Sequence, residues 1–162
     1  MKLSRRLNAV KEYLPYGLVV ADIGADRGEL SLCLLKEKIA QKVIIADISV
    51  KSLCRAKQLF AEEKVEEQVD FRVGDGLSVL APKEADYAVF AGMGGLTICE
   101  ILSDRPGVTV SLRGLVIQAM GNSDKVRALL NLAGFRIVGE TMVLEEGQHY
   151  IIIHAVPGEH SA

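Results

Sequence analysis

The segment from Val19 to Leu30 constrains the fold most, because an apolar stretch ends there in an acid and small residues then lead into an amphipathic stretch. A buried strand that passes through a tight turn into a helix has this pattern, which is typical of the ligand-binding edge of an open α/β sheet. Gly24 and Gly28 let the backbone turn sharply and let a ligand approach where a Cβ atom would collide. The pattern therefore predicts a small-molecule site.

Strand-like and helix-like segments alternate along the chain. Short apolar runs predict seven strands, at 18–21, 43–46, 69–73, 87–91, 115–118, 135–138 and 150–155. Helical spacing predicts an opening amphipathic helix and further helices at 29–38, 50–64, 96–102 and 125–133. The connection at 144–148 is too short for a crossover helix. We therefore expect a doubly wound, mostly parallel seven-stranded α/β sheet with a C-terminal antiparallel hairpin, in one domain over 1–156 with a tail at 157–162.

Composition narrows the classes of function. The formal net charge is −2, so a nucleic-acid partner would have to be held by a local basic patch. The candidates for that patch are Arg5, Arg6, Lys11, Arg27, Lys125 and Arg127. No window has the apolar length needed to cross a bilayer, and no apolar stretch of a signal peptide follows the basic N-terminus. The three cysteines are widely spaced and predict reduced thiols in a cytoplasmic protein, with no membrane partner expected. The three histidines near the end have no metal-binding spacing, so no metal site is expected.

The turn after the first predicted strand favours a positively charged ligand. Its Gly-x-x-x-Gly spacing departs from the Gly-x-Gly-x-x-Gly pattern of pyrophosphate-binding turns. Asp26 would also repel two phosphates, whereas a carboxylate suits an amino group or a sulfonium. Capping of the following helix is the alternative interpretation of Asp22 and Asp26.

Acids also follow the second and third predicted strands. The two oxygens of Asp47 match the vicinal diol of a ribose, and a cap for the helix that starts near Ser49 is the alternative. Asp75 can accept a hydrogen bond from an adenine amino group while its flanking glycines let the ring approach; a plain turn is the alternative. In register with Asp22, these acids favour a ligand that contains adenosine.

The segment Ala91-Gly92-Met93-Gly94-Gly95-Leu96 closes the fourth predicted strand. Three glycines in four positions make a poor strand and a poor helix. We therefore expect a flat aromatic substrate, or a methyl donor, to lie against this bare backbone. A flexible turn is the alternative, with Met93 packed into the core.

The chain carries a set of motifs in the order of one known family: Leu3-Ser4-Arg5-Arg6-Leu7, Ala21-Asp22-Ile23-Gly24-Ala25-Asp26, Gly74-Asp75-Gly76-Leu77, Ala91-Gly92-Met93-Gly94-Gly95, Ile101-Leu102 and Glu140-x-x-x-x-Glu145-x-Gly147-x-x-Tyr150-x-Ile152. Together they resemble the bacterial tRNA (adenine-N1)-methyltransferases that modify adenine 22. The resemblance covers nearly the whole chain. The predicted strand layout is likewise that of the class I S-adenosylmethionine-dependent methyltransferases.

The resemblance implies S-adenosyl-L-methionine as the methyl donor and N1 of an adenine in tRNA as the acceptor. It implies that Asp26, beside the accepting ring, favours the positive charge that moves onto the purine. Gln118 is a second catalytic candidate, since its amide could contact the base; a helix cap and a solvent-facing side chain are the alternatives. The donor pocket is expected to be lined by Asp22, Gly24, Asp26, Gly28, Asp47, Ile48, Gly74, Asp75, Gly76, Gly92, Met93, Gly94 and Gly95.

The chain departs from the family pattern at several positions. Arg27 stands where the family has histidine, and Gln118-Ala119-Met120 replaces Gln-Pro-Asn, with Asn122 two residues further on. A surface ion pair with Asp26 or Glu29 is one role for Arg27, and binding of a substrate phosphate is another. The resemblance matches the catalytic domain, without the family's C-terminal helical domain. A donor-binding domain without catalytic activity and a methyltransferase for another substrate remain alternatives, whereas the missing third glycine and the hairpin disfavour an NAD-dependent dehydrogenase.

Overall fold

A computed structural model describes residues 2–158, so residues 159–162 of the predicted tail lie outside the described residues. The helices are α1 (Arg5–Glu12), α2 (Glu29–Lys36), α3 (Val50–Glu62), α4 (Gly95–Asp104), α5 (Pro106–Thr109) and α6 (Ser123–Leu132). The strands are β1 (Leu18–Ile23), β2 (Ala40–Asp47), β3 (Val69–Val73), β4 (Tyr87–Gly94), β5 (Gly114–Met120), β6 (Phe135–Glu145) and β7 (Gln148–Pro157). Within residues 2–158, no helix is long and apolar enough to cross a membrane.

The strands form one seven-stranded sheet in the order β3-β2-β1-β4-β5-β7-β6. The first five are parallel, whereas β7 runs antiparallel to both β5 and β6. The prediction of a doubly wound, mostly parallel sheet with an antiparallel C-terminal hairpin is confirmed. The strand order reverses between β1 and β4, and in open α/β sheets a crevice opens at that point beyond the carboxyl ends of the strands.

Helices cover both faces of the sheet. Alternate strand residues point to opposite faces, so Val20 packs with the buried residues of α1, α2 and α3, whereas Ala21 packs with those of α4, α5 and α6. By the same alternation Asp22 points to the face covered by α1 and α2. This placement decides which helix supplies its neighbours.

The glycine-rich end of β4 differs from the prediction. The strand continues through Gly92 and Met93 to Gly94, and α4 begins directly at Gly95. Pairing with β5 holds this end in place, with a register shift between Ala91 and Met93 where Gly92 has a φ of +85°. The flexible-turn alternative therefore does not describe this segment, because strand pairing and a bulge accommodate the glycines despite their low strand preference.

Candidate active site

Two adjoining cavities lie at the carboxyl edge of the sheet. The larger, about 300 Å³, is bounded by α1, by the loop from β1 to α2 and by the end of β6. We call it the acidic cavity, after the carboxylates of Asp22, Asp26, Glu29 and Glu145. The smaller, about 100 Å³, is lined by Asp47, Ile48, Gly74, Asp75, Gly76 and Met93, and we call it the groove. Gly24 lines both, so one elongated ligand can reach from the groove into the acidic cavity.

Asp22 is the buried carboxylate of the acidic cavity. Only 4 % of the residue is exposed, and its Oδ2 accepts a hydrogen bond of 2.7 Å from the hydroxyl of Ser31 on α2. Burial raises the pKa of Asp22 to about 6; the Ser31 hydrogen bond opposes this shift and the charge of Asp47 adds to it. No ion pair to Asp22 is found among residues 2–158. A cationic ligand group would supply the opposite charge that this carboxylate lacks.

The capping alternative does not describe the first turn. Gly28 is the N-cap residue of α2 and supplies no side-chain cap. In the described part of the chain, no helix N–H donates to Asp22 or Asp26. Asp26 is exposed at the cavity rim and has a left-handed backbone, with a φ of +53°, which is uncommon outside glycine and asparagine or aspartate. Its carboxylate is therefore available to a ligand.

Gly24 and Gly28 are required for different reasons. A Cβ atom on Gly24 would lie 2.9 Å from Cε of Met93, so this glycine lets β4 approach the turn where the two cavities adjoin. A Cβ atom on Gly28 would lie 3.1 Å from side-chain atoms of both Ile45 and Phe60, and Gly28 lines neither cavity. The sequence interpretation that Gly28 makes room for a ligand is therefore corrected: it makes room for the core.

The groove brings together the acid that ends β2 and the acid that follows β3. Asp47 Oδ1 accepts a hydrogen bond of 2.9 Å from the backbone N–H of Ser49. Ser49 itself caps α3, accepting from the N–H of Ser52, so Asp47 is not the cap residue. Asp75 is exposed in the turn before the short 3-10 helix Gly76–Val79, and it faces the same groove as Asp47. This arrangement offers carboxylate oxygens to a diol and to an amino group.

The residues at the end of β4 have separate environments. Met93 lines the groove, and a Cβ atom on Gly92 would lie 3.3 Å from Nη1 of Arg6. A Cβ atom on Gly95 would lie 2.3 Å from the carbonyl oxygen of Gly121, which places Gly95 against the loop that leads into α6. Gly94 and Gly95 line neither cavity. Contact of these two glycines with a donor stays a prediction.

Gln118 is fully buried on β5. Its Oε1 accepts a hydrogen bond of 2.7 Å from Nη1 of Arg6, whose guanidinium lies 5.9 Å from the ring centroid of Tyr150. The helix-cap and solvent-facing alternatives for Gln118 are therefore both wrong. Arg6, and not Gln118, lines the acidic cavity.

Most of the predicted basic patch is engaged within the protein. Lys11 pairs with Glu37, Arg27 with Glu29 at 2.6 Å, and Arg127 with Glu140. The surface ion pair predicted for Arg27 is confirmed. Arg5 donates from Nη1 to the carbonyl of Leu144, and Lys125 forms no ion pair among residues 2–158. The six side chains therefore do not make one uniform phosphate-binding surface.

Three residues at the acidic cavity were not predicted as donor-site residues: Ser31, Glu145, which stood only within a family motif, and Arg6, which was assigned to the basic patch. Ser31 interrupts the apolar residues of α2 and is fully buried, and a polar residue within a helix's apolar face could have indicated a buried partner. Glu145 Oε1 accepts a hydrogen bond of 2.8 Å from the backbone N–H of Arg5. This contact joins residues 140 positions apart, which no local pattern predicts.

Comparison with known proteins gives concordant matches. A family model described as a methyltransferase domain matches residues 3–153. The tRNA (adenine(22)-N(1))-methyltransferase of Bacillus subtilis is 31% identical over 162 residues, covering 100% of this chain and 68% of the relative. The crystal structure of the B. subtilis M1A22 tRNA methyltransferase TrmK has a TM-score of 0.93 at 31% identity and covers 98% of this chain and 68% of that one. Streptococcus pneumoniae Sp1610 in complex with S-adenosyl-L-methionine has a TM-score of 0.95 at 25% identity, covering 99% of this chain and 76% of that one.

Proposed function

We infer the reaction from family membership: the chain belongs to the tRNA (adenine(22)-N(1))-methyltransferase family and carries its methyltransferase domain. We propose that it transfers a methyl group from S-adenosyl-L-methionine to N1 of an adenine in tRNA. The observation that carries this proposal is the gathering of Asp22, Asp47 and Asp75 along adjoining cavities that meet at Gly24. A tRNA substrate further implies that the protein works in the cytoplasm.

The residues of the two cavities fit the chemistry of this donor. In the groove, Asp47 uses one oxygen for the Ser49 N–H, which leaves Oδ2 to accept from a ribose hydroxyl, and exposed Asp75 can accept from an adenine amino group. In the acidic cavity, Asp22 is a buried carboxylate without an ion pair among the described residues. A ligand with a sulfonium and an ammonium group would neutralise it. Donor binding by these aspartates is thus supported by burial and by charge.

The side chains of the acidic cavity have positioning and electrostatic roles in our proposal. Bound S-adenosyl-L-methionine supplies an electrophilic methyl group. The adenine N1 carries a lone pair, so the protein needs no strong base and contributes chiefly by holding the reactants in line, which can supply about 7–11 kcal/mol. Asp26 lies at the rim with its carboxylate free of helix N–H groups. There it would stabilise the positive charge developing on the purine and accept from the exocyclic amine.

Nucleoside analysis tests the proposed reaction. Unmodified tRNA is incubated with the protein and S-adenosyl-L-methionine, digested, and analysed by mass spectrometry against a 1-methyladenosine standard. We expect 1-methyladenosine to appear only when both protein and donor are present. A methylated nucleoside of another kind would show that the acceptor is wrong.

A donor-binding domain without catalytic activity is the second candidate. The observation that favours it is the pairing of Lys11, Arg27 and Arg127 with acids, which engages half of the six side chains of the predicted basic patch. Calorimetric titration with S-adenosyl-L-methionine separates the two candidates. Tight donor binding with no methylated nucleoside in the tRNA digest would favour the second.

A further inference from the structure

Arg6 places a guanidinium in the acidic cavity without a carboxylate partner. No carboxylate lies within 4.0 Å of it among residues 2–158, although Lys11, Arg27 and Arg127 all have one. The hydrogen-bond acceptor that Arg6 does have is neutral, the Oε1 of Gln118 at 2.7 Å. A guanidinium carries five N–H donors, so this contact orients the group without neutralising it. A partly buried cation of this kind is suited to an anion from outside the protein.

The backbone around Arg6 is held firmly over the cavity. The hydroxyl of Ser4 caps α1 by accepting from the N–H of Leu7 at 3.2 Å. The N–H of Arg5 donates to Glu145 on β6, and its Nη1 donates to the carbonyl of Leu144 at 3.3 Å. These bonds tie the start of α1 to the C-terminal hairpin. Little ordering of Arg6 would be needed when a ligand binds, which favours affinity.

The arrangement of the two cavities indicates which anion the guanidinium of Arg6 would bind. If the groove holds the adenosine of the proposed donor through Asp47 and Asp75, the rest of the molecule passes Gly24 into the acidic cavity. That remainder carries a sulfonium, an ammonium group and a carboxylate. Asp22 and Asp26 suit the two cations, but the carboxylate needs a cation of its own. Of the two arginines in the cavity, Arg27 is already paired with Glu29.

We propose that Arg6, oriented by Gln118, binds the carboxylate at the amino-acid end of the methyl donor. The assignment rests on the proposed function, since it presupposes an adenosyl donor in the groove. It gives buried Gln118 a positioning role behind Arg6, in place of the direct contact with the base that the sequence suggested. It also gives Arg6 a role other than the RNA contact predicted for it.

Isothermal titration with three ligands tests this assignment. S-adenosyl-L-methionine and its decarboxylated form differ only in the carboxylate, and 5′-methylthioadenosine lacks the whole amino-acid end. The wild-type protein should bind the first more tightly than the second by about 10- to 100-fold, the range for a charge-assisted contact. Arg6→Met should remove that preference while leaving the affinity for 5′-methylthioadenosine within about twofold.

Arg27→Met is the matched control, because it removes the other arginine of the cavity, and it should keep the wild-type preference. A full preference retained by Arg6→Met would overturn the assignment. An equal loss of affinity for all three ligands in Arg6→Met would overturn it too, since Arg6 would then only shape the cavity. Unchanged donor binding with weakened tRNA binding would make Arg6 a phosphate contact instead. If the wild-type protein binds none of the three ligands, the proposed function itself fails.

Discussion

Asp22 has a carboxylate that lines the acidic cavity in an environment that disfavours its charge. It is buried, its hydrogen bond comes from neutral Ser31, and Asp47 adds a like charge nearby. Its pKa is therefore raised to about 6 in the folded protein, above the ordinary value of 3.8. The folded state then holds the proton more tightly than the unfolded state between these values. The stability that this proton contributes is complete below about pH 3.8 and is lost as pH rises through about 6.

Replacing this charge should stabilise the protein. Asp22→Asn keeps the shape and can still accept from Ser31, but it carries no buried charge. We expect its free energy of unfolding at pH 8 to exceed that of the wild type by about 1–3 kcal/mol. The difference should shrink as pH falls from 6 to 4. Urea denaturation across pH 4–8 measures this, and a difference independent of pH would contradict the assigned pKa.

The titration of Asp22 should also change the affinity for the methyl donor. A protonated Asp22 cannot neutralise a cationic ligand, so the affinity of the wild-type protein for S-adenosyl-L-methionine should fall as pH drops below about 6. Asp22→Asn should bind the donor weakly throughout and lose this pH dependence. Calorimetric titration at pH 5, 6, 7 and 8 provides the comparison. Parallel pH profiles for the two proteins would assign the titration to another group.

Asp47 provides a test of the groove at a carboxylate that is only partly buried. Its hydrogen bond to the Ser49 N–H lies in a loop, and α3 is capped by Ser49 itself. Asp47→Ala should therefore leave the thermal midpoint nearly unchanged but weaken donor binding by about 10- to 100-fold, since it removes charged acceptors for a diol. Asp104→Ala, at the exposed end of α4, is the control. Equal donor affinities for Asp47→Ala and Asp104→Ala would show that Asp47 is outside the donor site.

At the scale of elements, the passage from β4 to α4 depends on one glycine. A Cβ atom on Gly95 would lie 2.3 Å from the carbonyl oxygen of Gly121 and 2.9 Å from that of Asn122. Both atoms belong to backbone, which cannot rotate away as a side chain can. We expect Gly95→Ala to lower the free energy of unfolding by about 1–3 kcal/mol.

Gly107 offers the matched control for this substitution. It lies in α5, and a Cβ atom there would meet nothing within 4 Å. Gly107→Ala should be neutral or stabilising by up to about 1 kcal/mol, because alanine favours helix. Thermal unfolding of both variants checks the pair. If the Gly95→Ala protein were as stable as Gly107→Ala, the loop before α6 would be able to move away from the added Cβ atom at little cost in free energy.

The predicted bounds match the observed elements to different degrees. The prediction at 69–73 matches β3, and β1 and β2 exceed their predictions by two to four residues. β6 extends from Phe135 to Glu145, beyond the predicted 135–138, because its more exposed residues alternate and form no continuous apolar run. α5 was missed, since four residues are too few for helical periodicity. β4 extends to Gly94, three residues beyond the predicted 87–91, because pairing with β5 outweighs the low strand preference of glycine.

At the scale of the molecule, topology explains which part of the candidate site was predictable. Asp22, Asp47 and Asp75 lie at or just beyond the carboxyl ends of parallel strands that are adjacent in the sheet, so their proximity follows from the fold class alone. Arg6 and Glu145 reach the same cavity from α1 and from the end of β6, near opposite ends of the described chain. Their placement depends on how α1 packs against the hairpin. Sequence periodicity carries no signal for that packing.

The charge distribution of the whole molecule predicts weak electrostatic attraction to RNA. The formal net charge is −2, and Lys11, Arg27 and Arg127 are paired with acids. Arg5 and Lys125 remain from the predicted basic patch, because Arg6 is assigned to the donor carboxylate. Each phosphate neutralised adds about −0.7 to −0.9 to the slope of log K against log salt concentration. The predicted patch should therefore contribute a slope of about −1.4 to −1.8 with tRNA, whereas six free cations would give about −5.

Fluorescence anisotropy of labelled tRNA between 50 and 200 mM KCl measures the slope. Lys125→Ala should make it shallower by nearly one unit, because this lysine has no ion-pair partner in residues 2–158. Arg127→Ala, in the same helix but paired with Glu140, should change the slope much less. A wild-type slope near −5 would mean that RNA contacts basic side chains outside this patch or displaces the internal ion pairs.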